Sequence, residues 1–455
     1  MKKDSRLECD SIGELEVPTD AYFGVQAERA SRNFKITGLK MSPTFLSNLA
    51  LIKKAAAHVN SEVGLLSKKQ FSAISKACDE IIDGKFNEEF IVDPIQGGAG
   101  TSANMNMNEV IANRANEILG GKLGKYDLVH PNDHVNMAQS TNDTIPTAGK
   151  MTVIVLSEKL QNSLTKLADA LSAKGREFKN VVKMGRTQLQ DAVPMNLGDS
   201  FNGYASMIKR CTNRLKTSTK EMNEINLGAT AIGTGINASQ YYEDHIADEL
   251  SKLFGRKLHQ ADDLFDATEN LDSFVEVSGS LKALATSLSK MCNDLRLLSS
   301  GPRTGLHEIN LPAKQNGSSI MPGKINPVIP EVVNQVAFLV VGHDTTITMA
   351  AEAGQLELNA FEPVVFYQLF ESFTALTHAI DTLVENCITG ITANVDHCIA
   401  LKEASVGIAT ALCPYLGYQT SAKIAKRALR ERRSVRELVL EQHLISPEKL
   451  DQLLG

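Results

Sequence analysis

Ser318 and Ser319 stand side by side in Gly317-Ser-Ser-Ile-Met-Pro-Gly-Lys-Ile-Asn-Pro327, followed closely by Lys324 and Asn326. Two adjacent hydroxyls can supply a nucleophile or base plus a hydrogen-bond donor. Lys324 supplies the positive charge that a carboxylate or phosphate needs. Gly317 and Gly323 free the backbone, while Pro322 and Pro327 restrict it. A loop that swings shut over a ligand needs this combination, although an exposed turn with an incidental lysine would read the same in isolation. The stretch is not a phosphate-binding P-loop, which requires Ser or Thr after the lysine, where this chain has Ile325.

Four further segments are rich in Gly, Ser, Thr and Asn: Gln96–Asn106, Gln139–Asp143, Gly185–Asp191 and Gly228–Gly235. Thr101, Ser102, Ser140, Thr141, Asn142 and Thr187 offer hydroxyls and amides without net charge. Such groups suit an anion whose charge redistributes during a reaction. Taken singly, each is equally a helix N-cap, and Ser140 and Thr141 could cap a helix that follows Pro146. In His130-Pro-Asn-Asp-His134, two histidines without a third ligand read as a hydrogen-bonded loop, not a metal site. The basic cluster Lys423, Lys426, Arg427, Arg430, Arg432, Arg433 and Arg436 is interleaved with Glu431 and Glu437 and lacks aromatics. It reads as a solvated helix face or a subunit contact.

Long helices must position these segments. Val153, Leu156, Leu160, Leu164, Leu167 and Leu171 recur every three or four residues. So do Phe274, Val277, Leu281, Leu284, Leu288, Met291, Leu295 and Leu298, and also Phe366, Leu369, Phe373, Leu376, Ile380 and Leu383. Each stripe makes one apolar face, and further long helices are predicted over 197–226 and 329–353. Such faces bury against one another in a bundle, and near-heptad spacing allows packing against another subunit. The predicted organisation is a mixed N-terminal domain (1–140), a central long-helix domain (141–395) and a small C-terminal helical domain (396–455).

The 455 residues include 47 Lys+Arg and 53 Asp+Glu, a formal net charge of −6, with 43% hydrophobic residues and no Trp. A mildly acidic chain is a poor general nucleic-acid binder, and its apolar content argues against disorder. Seven scattered cysteines without a Cys-x-x-Cys pair point to free thiols in a reducing compartment. The polar lead Met1–Arg6 is not a signal core, and no apolar run is long enough to span a membrane. A cytoplasmic location is expected, without membrane or nucleic-acid partners.

The stretch Gly317–Pro327 resembles the signature of the fumarase/aspartase superfamily, whose members remove an amine, water or amide-type group from a succinyl moiety and release fumarate. Met184-Gly-Arg-Thr-Gln-Leu-Gln-Asp-Ala-Val-Pro194 and Gly228-Ala-Thr-Ala-Ile-Gly-Thr-Gly-Ile-Asn237 match it too, in the expected order. The resemblance runs from about Asp20 to the C-terminal domain. Four segments are similar to the aspartate ammonia-lyase (aspartase) branch more than to class II fumarases. These are Gln96-Gly-Gly-Ala-Gly-Thr-Ser102, Gln139-Ser-Thr-Asn-Asp143 with its Thr141, Pro327-Val-Ile-Pro-Glu-Val-Val-Asn-Gln335, and Ala350–Asn359 followed by Phe361-Glu-Pro-Val364.

The resemblance implies a mainly α, three-domain fold with a long central helical bundle, forming a 20-helix core in a homotetramer with sites shared between three subunits. A helix of about 30 residues spans roughly 45 Å, so segments at its opposite ends cannot meet within one chain. It also implies a serine base, Ser318, with Thr101, Ser140, Thr141 and Ser319 around the β-carboxylate of a small dicarboxylate substrate. Lys324, Asn326 and Thr187 would hold the α-carboxylate, and Asn142 and Gln188 would lie near the amine. Many superfamily members have His at the position of Gln188, paired with a Glu matching Glu331. Gln188 cannot titrate, so it can only orient the amine. No cofactor is required by this chemistry, and activation by Mg²⁺, which some aspartases show, is not legible in the residues. The alternatives are a class II fumarate hydratase and a non-catalytic structural member. The intact Ser318, Lys324 and Asn326 argue against the latter.

Overall fold

The computed structural model describes residues 4–454, so Met1–Lys3 of the polar lead lie outside the described residues. The chain opens with an antiparallel hairpin, β1 (Ser5–Asp10) and β2 (Gly13–Pro18). Helices α1 (Val25–Asn33), α2 (Pro43–Glu62), α3 (Lys68–Ile82), α4 (Thr101–Ile118) and α5 (Thr141–Glu177) follow. A second antiparallel hairpin, β3 (Val182–Thr187) and β4 (Gln190–Asn196), leads into α6 (Leu197–Ser218). Next come β5 (Glu224–Ile225), α7 (Gln240–Phe254), β6 (His259–Gln260), α8 (Asp266–Glu269), α9 (Asp272–Leu298) and β7 (Ile309–Asn310). After α10 (Val328–Glu352), α11 (Glu362–Asn386) and β8 (Thr392–Ala393), the chain ends in shorter helices. These are α12 (Val395–Ala404), α13 (Cys413–Leu416), α14 (Tyr418–Glu431), α15 (Val435–Glu441) and α16 (Pro447–Leu454).

The apolar stripes lie inward. All six stripe residues of α5 and all six of α11 are buried, and on α9 only Leu298, at the last turn, is half-buried. Two expected boundaries shift. The helix expected over 197–226 stops at Ser218 and tightens into a short 3₁₀ turn, Thr219–Asn223. There the hydroxyls of Ser218 and Thr219 both donate back to the Leu215 carbonyl, at 3.1 and 2.8 Å, the competition by which Ser and Thr end helices. The helix expected to follow Pro146 instead begins at Thr141 and carries the proline within it.

A proline at that position cannot donate to the Asn142 carbonyl four residues back. The Asn226 side chain does so instead, its Nδ2 donating to Asn142 O at 3.0 Å and also to Thr268 Oγ1 at 3.0 Å. The long helix therefore starts early because a residue far along the chain covers the bond that the proline removes.

Spatially the chain forms two compact units. The first comprises Met1–Leu160, Asn213–Ala283 and Leu339–Ala375; the second comprises Gln161–Thr212, Leu284–Phe338 and Leu376–Gly455. In the first unit α2 packs against α3 and α7, and α3 against α4. Phe366 there stacks on Phe370 at 5.8 Å and meets Phe274 edge-on at 5.2 Å. Gly149 of α5 lies under that ring, and a Cβ there would stand 2.5 Å from Phe366. In the second unit α12 packs on β3, and buried Glu308 pairs with Lys183 at 2.8 Å and Arg186 at 2.6 Å. Its C-terminal core gathers Met184, Ile408, Leu412, Ile424, Leu438 and Leu450. The basic cluster above this core is largely ion-paired: Arg427 reaches Glu431 and Glu441, Arg433 reaches Glu441, and Arg436 reaches Glu403 and Asp451.

Among the described residues no single helix is long and apolar enough to cross a membrane. No disulfide forms among them either. Cys78, Cys211, Cys292, Cys387 and Cys398 are buried and Cys9 is exposed.

Two substitutions test this packing. Gly149→Ala is expected to destabilise the protein by about 1–3 kcal/mol in urea unfolding, because the ring cannot retreat from the added methyl. Asn226→Ala is expected to cost about 1–3 kcal/mol by stranding the Asn142 carbonyl. The loss should shrink in a Pro146→Ala background, where the helix supplies its own N–H; equal losses in both backgrounds would refute the account of the early helix start.

Candidate functional site

The turn before α4 runs through three left-handed residues, Gly98 (φ 85°), Ala99 (φ 55°) and Gly100 (φ 89°). Gly100 is obligatory, because a Cβ there would lie 2.9 Å from Ile145 and the φ is positive. Gln96 clamps the turn: its Nε2 donates to Asp93 O at 2.7 Å and its Oε1 accepts from Ala103 N at 2.9 Å. Thr101 therefore sits exposed at the start of α4, its hydroxyl donating to Gly98 O at 2.7 Å. Ser102 is half-buried beside it.

Ser140, Thr141 and Asn142 lie together at the start of α5. The Ser140 hydroxyl accepts from Asn142 N at 3.2 Å, and the Ser140 N–H donates to Asp143 Oδ1 at 2.9 Å, a reciprocal cap built with Asp. This leaves the Ser140 O–H to donate. Asn142 is oriented too, since its Nδ2 donates to Ala231 O at 2.7 Å and its Oδ1 is then its acceptor. Thr141 is tied to α4, its Oγ1 accepting from Asn104 Nδ2 at 3.2 Å. The N-termini of α4 and α5 thus present Thr101, Ser140 and Thr141 where helix dipoles favour an anion.

Beneath this surface is a buried polar network that the sequence reading passed over. Asn136 Oδ1 accepts from Lys53 Nζ (2.9 Å), Asn108 Nδ2 (3.1 Å) and Asn104 Nδ2 (3.2 Å). Asp143, fully buried, also accepts from Gly228 N at 3.1 Å and Thr230 N at 3.0 Å through Oδ2. Burial pushes the Asp143 carboxyl up to about 7, opposed by its three amide donors and by Lys53. Burial likewise brings Lys53 down to about 7, opposed by Asp143. One signal was present: Asn104, Asn106 and Asn108 alternate in a helix otherwise rich in Ala and Met, and every one of them is buried.

Thr187 and Gln188 lie at the exposed end of the β3–β4 hairpin, whose two-residue loop is Gln188 (φ 54°) and Leu189 (φ 62°). Two non-glycine residues at positive φ make this a strained tip, at a cost of about 1–3 kcal/mol each. The strand below is bulged at Gly185, where a Cβ would meet Val193 O at 2.9 Å. Arg186 is anchored on Glu308 at 2.6 Å, and Asp191 accepts from the Ser405 hydroxyl at 2.6 Å.

The loop 317–327 is closed at its base. Asn316 bridges Ile325, Gly317 N donates to Lys324 O at 2.8 Å, and Asn326 Nδ2 donates to Gly317 O at 2.7 Å. Asn326 thus latches the loop, a task its expected ligand role did not include. Ser318 Oγ accepts from Ile320 N at 3.2 Å and Met321 N at 3.0 Å. Two backbone N–H groups on one hydroxyl oxygen favour negative charge there. Ser319 and Lys324 are exposed, as are Ile320 and Met321.

Thr101, Ser140, Thr141 and Asn142 belong to the first unit; Thr187, Gln188, Ser318, Ser319, Lys324 and Asn326 belong to the second. His130 and His134 form a hydrogen-bonded loop. His130 Nδ1 accepts from Asn132 N at 3.2 Å, and His134 Nδ1 accepts from His130 N at 2.8 Å. Among the described residues no group of three His, Cys, Asp or Glu side chains could hold a metal.

Comparison with known proteins bears directly on this architecture. A lyase family matches residues 13–342, and the family described as Fumarase C C-terminus matches residues 408–455. The aspartate ammonia-lyase of Pseudomonas aeruginosa is 53% identical, over 99% of this chain and 96% of the relative. That of Escherichia coli is 48% identical, over 100% of this chain and 96% of the relative. The crystal structure of fumarate lyase:delta crystallin from Brucella melitensis bound to cobalt aligns with TM-score 0.97 at 50% identity, covering 99% of this chain and 98% of that one. Recombinant class II fumarase from Schistosoma mansoni aligns with TM-score 0.95 at 35% identity, again over 99% and 98%. With a family match over most of its length and relatives of this identity along the whole chain, the protein belongs to the aspartate ammonia-lyase branch of the fumarase/aspartase superfamily.

Proposed function

We propose that this protein is an aspartate ammonia-lyase that reversibly deaminates L-aspartate to fumarate and ammonia. The observation that carries the reading is the Ser318 hydroxyl, whose oxygen accepts two backbone N–H groups inside a glycine-based loop. A serine hydroxyl is a poor base near neutrality, and donors aimed at its oxygen favour the alkoxide. Loss of the Cβ proton converts the adjacent carboxylate into an aci-carboxylate dianion, which must be held more tightly than the ground state. Ser140, Thr141 and Ser319 are read as its neutral donors, and Thr101 joins them once its hydroxyl turns from Gly98 O. Lys324 and Thr187, with Asn326, are read as the grip on the α-carboxylate. Asn142 and Gln188 are read as the amine contacts, Asn142 through Oδ1. Ammonia departs from an ammonium as a neutral molecule, so the step needs neither a general acid nor a cofactor.

A homotetramer with sites assembled from three subunits is part of the proposal. Two half-helices support it: Leu339, Val341 and Met349 of α10 are exposed in the first unit, and Val332 and Phe338 are exposed in the second. Apolar surface of this kind marks an interface. The division into 1–140, 141–395 and 396–455 is kept as a proposal, supported at its last boundary by a separate family match from residue 408. Cysteines without disulfides support a cytoplasmic location.

Purified enzyme should raise the ultraviolet absorbance of fumarate from L-aspartate and not from L-malate. A rise from malate alone would make it a hydratase on this scaffold. Ser318→Ala is expected to lose several orders of magnitude in kcat with the tetramer intact by sedimentation. Near-wild-type turnover would refute the base assignment, and a fully active monomer would refute the shared site.

A further inference from the structure

Resting on the ammonia-lyase reading, we propose that Asp143 is a positioning residue for the leaving amine: its buried carboxylate locks the Ser140–Asn142 turn to the loop Gly228–Ala231 and so fixes which end of the Asn142 amide faces substrate. The geometry forms a closed circuit within the first unit. Asp143 Oδ1 takes Ser140 N, at 2.9 Å, and Oδ2 takes Gly228 N and Thr230 N, at 3.1 and 3.0 Å. Thr230 is held at φ 54°, a conformation that a β-branched residue adopts only when its surroundings impose it. The next carbonyl, Ala231 O, then accepts Asn142 Nδ2 at 2.7 Å. An ammonium group has donors and no acceptor, so only an amide whose NH₂ is already occupied elsewhere offers it the correct atom. If the 228–231 loop drifts, Ala231 O leaves and the Asn142 amide can rotate to present NH₂, which repels an ammonium.

Charge on Asp143 is required for this, because a protonated carboxyl gives up an acceptor site that one of its three amide donors uses. The groups that face it are Lys53 from α2 and the buried Tyr242 from α7, with the Cys78 thiol of α3 acting on Lys53. Lys53 favours the ionised form, so removing it raises the carboxyl's affinity for a proton.

The test compares an amine-bearing ligand with one that lacks it. Asp143→Asn keeps the shape and removes the charge. For L-aspartate, kcat/KM should fall about 100-fold, the cost of a misplaced reacting group. The inhibition constant of succinate, which carries both carboxylates and no amine, should change far less. The same substitution in an Asn142→Ala background should cost much less than in the wild type. Equal losses in both backgrounds, a succinate constant that rises in step with the aspartate KM, or wild-type kinetics would each overturn the proposal. Where Asp143→Asn fails to fold, Lys53→Met supplies the second test. The acid limb of the kcat/KM profile should move to higher pH, and an unmoved limb would count against the proposal. Wild-type enzyme that releases no fumarate from L-aspartate would defeat the functional reading itself, a result separate from any variant's behaviour.

Discussion

The N-terminus of α5 must be rigid and still chemically open, and much of the first unit serves that constraint. The opening residues of a helix have N–H groups without partners. Here Ser140 and Asp143 form a reciprocal cap, and Asn226 donates to the carbonyl that Pro146 leaves unbonded. With these partners fixed, the Ser140 O–H, the Thr141 O–H and the Asn142 Oδ1 stay open to a ligand. The stripe of buried Leu and Val farther along the helix holds the rod on which this end is mounted.

The second unit handles its chemistry differently. The hairpin tip stores strain at Gln188 and Leu189, and the loop 317–327 is latched at its base while its crown stays exposed. Strain at the tip is sustained from below, where buried Glu308 holds Lys183 and Arg186 of the strand that leads to it. Removing one partner of a buried pair of this kind would strand the other charge at a cost of about 3–5 kcal/mol, so the three side chains hold one another in place. Among the described residues the loop shows no comparable anchor above its base.

Among the expected contact residues, neutral hydroxyls and amides outnumber charged groups in each unit. Charged groups would bind a dicarboxylate strongly in its ground state and gain little as the dianion forms. Hydroxyls and amides held in place gain strength as charge develops. Lys324 is the cation among the expected contacts, and it lies exposed on its loop.

The apolar stripes, the long helices they define, the acidic balance that disfavours nucleic acid and the polar segments between helices were all legible in the sequence. Helix periodicity repeats every 3.6 residues, and motif spacing is likewise local, so both survive as one-dimensional patterns. The start of α5 before its proline, the stop of α6 at Ser218, and the Lys53, Asn104, Asn136, Asp143 and Asn226 network were decided by tertiary structure. Asp143 finds its donors at Gly228 and Thr230, and Lys53 finds Asn136, across distances along the chain that carry no period. A buried polar group must be paired, but which partner pairs it is set only when the helices pack.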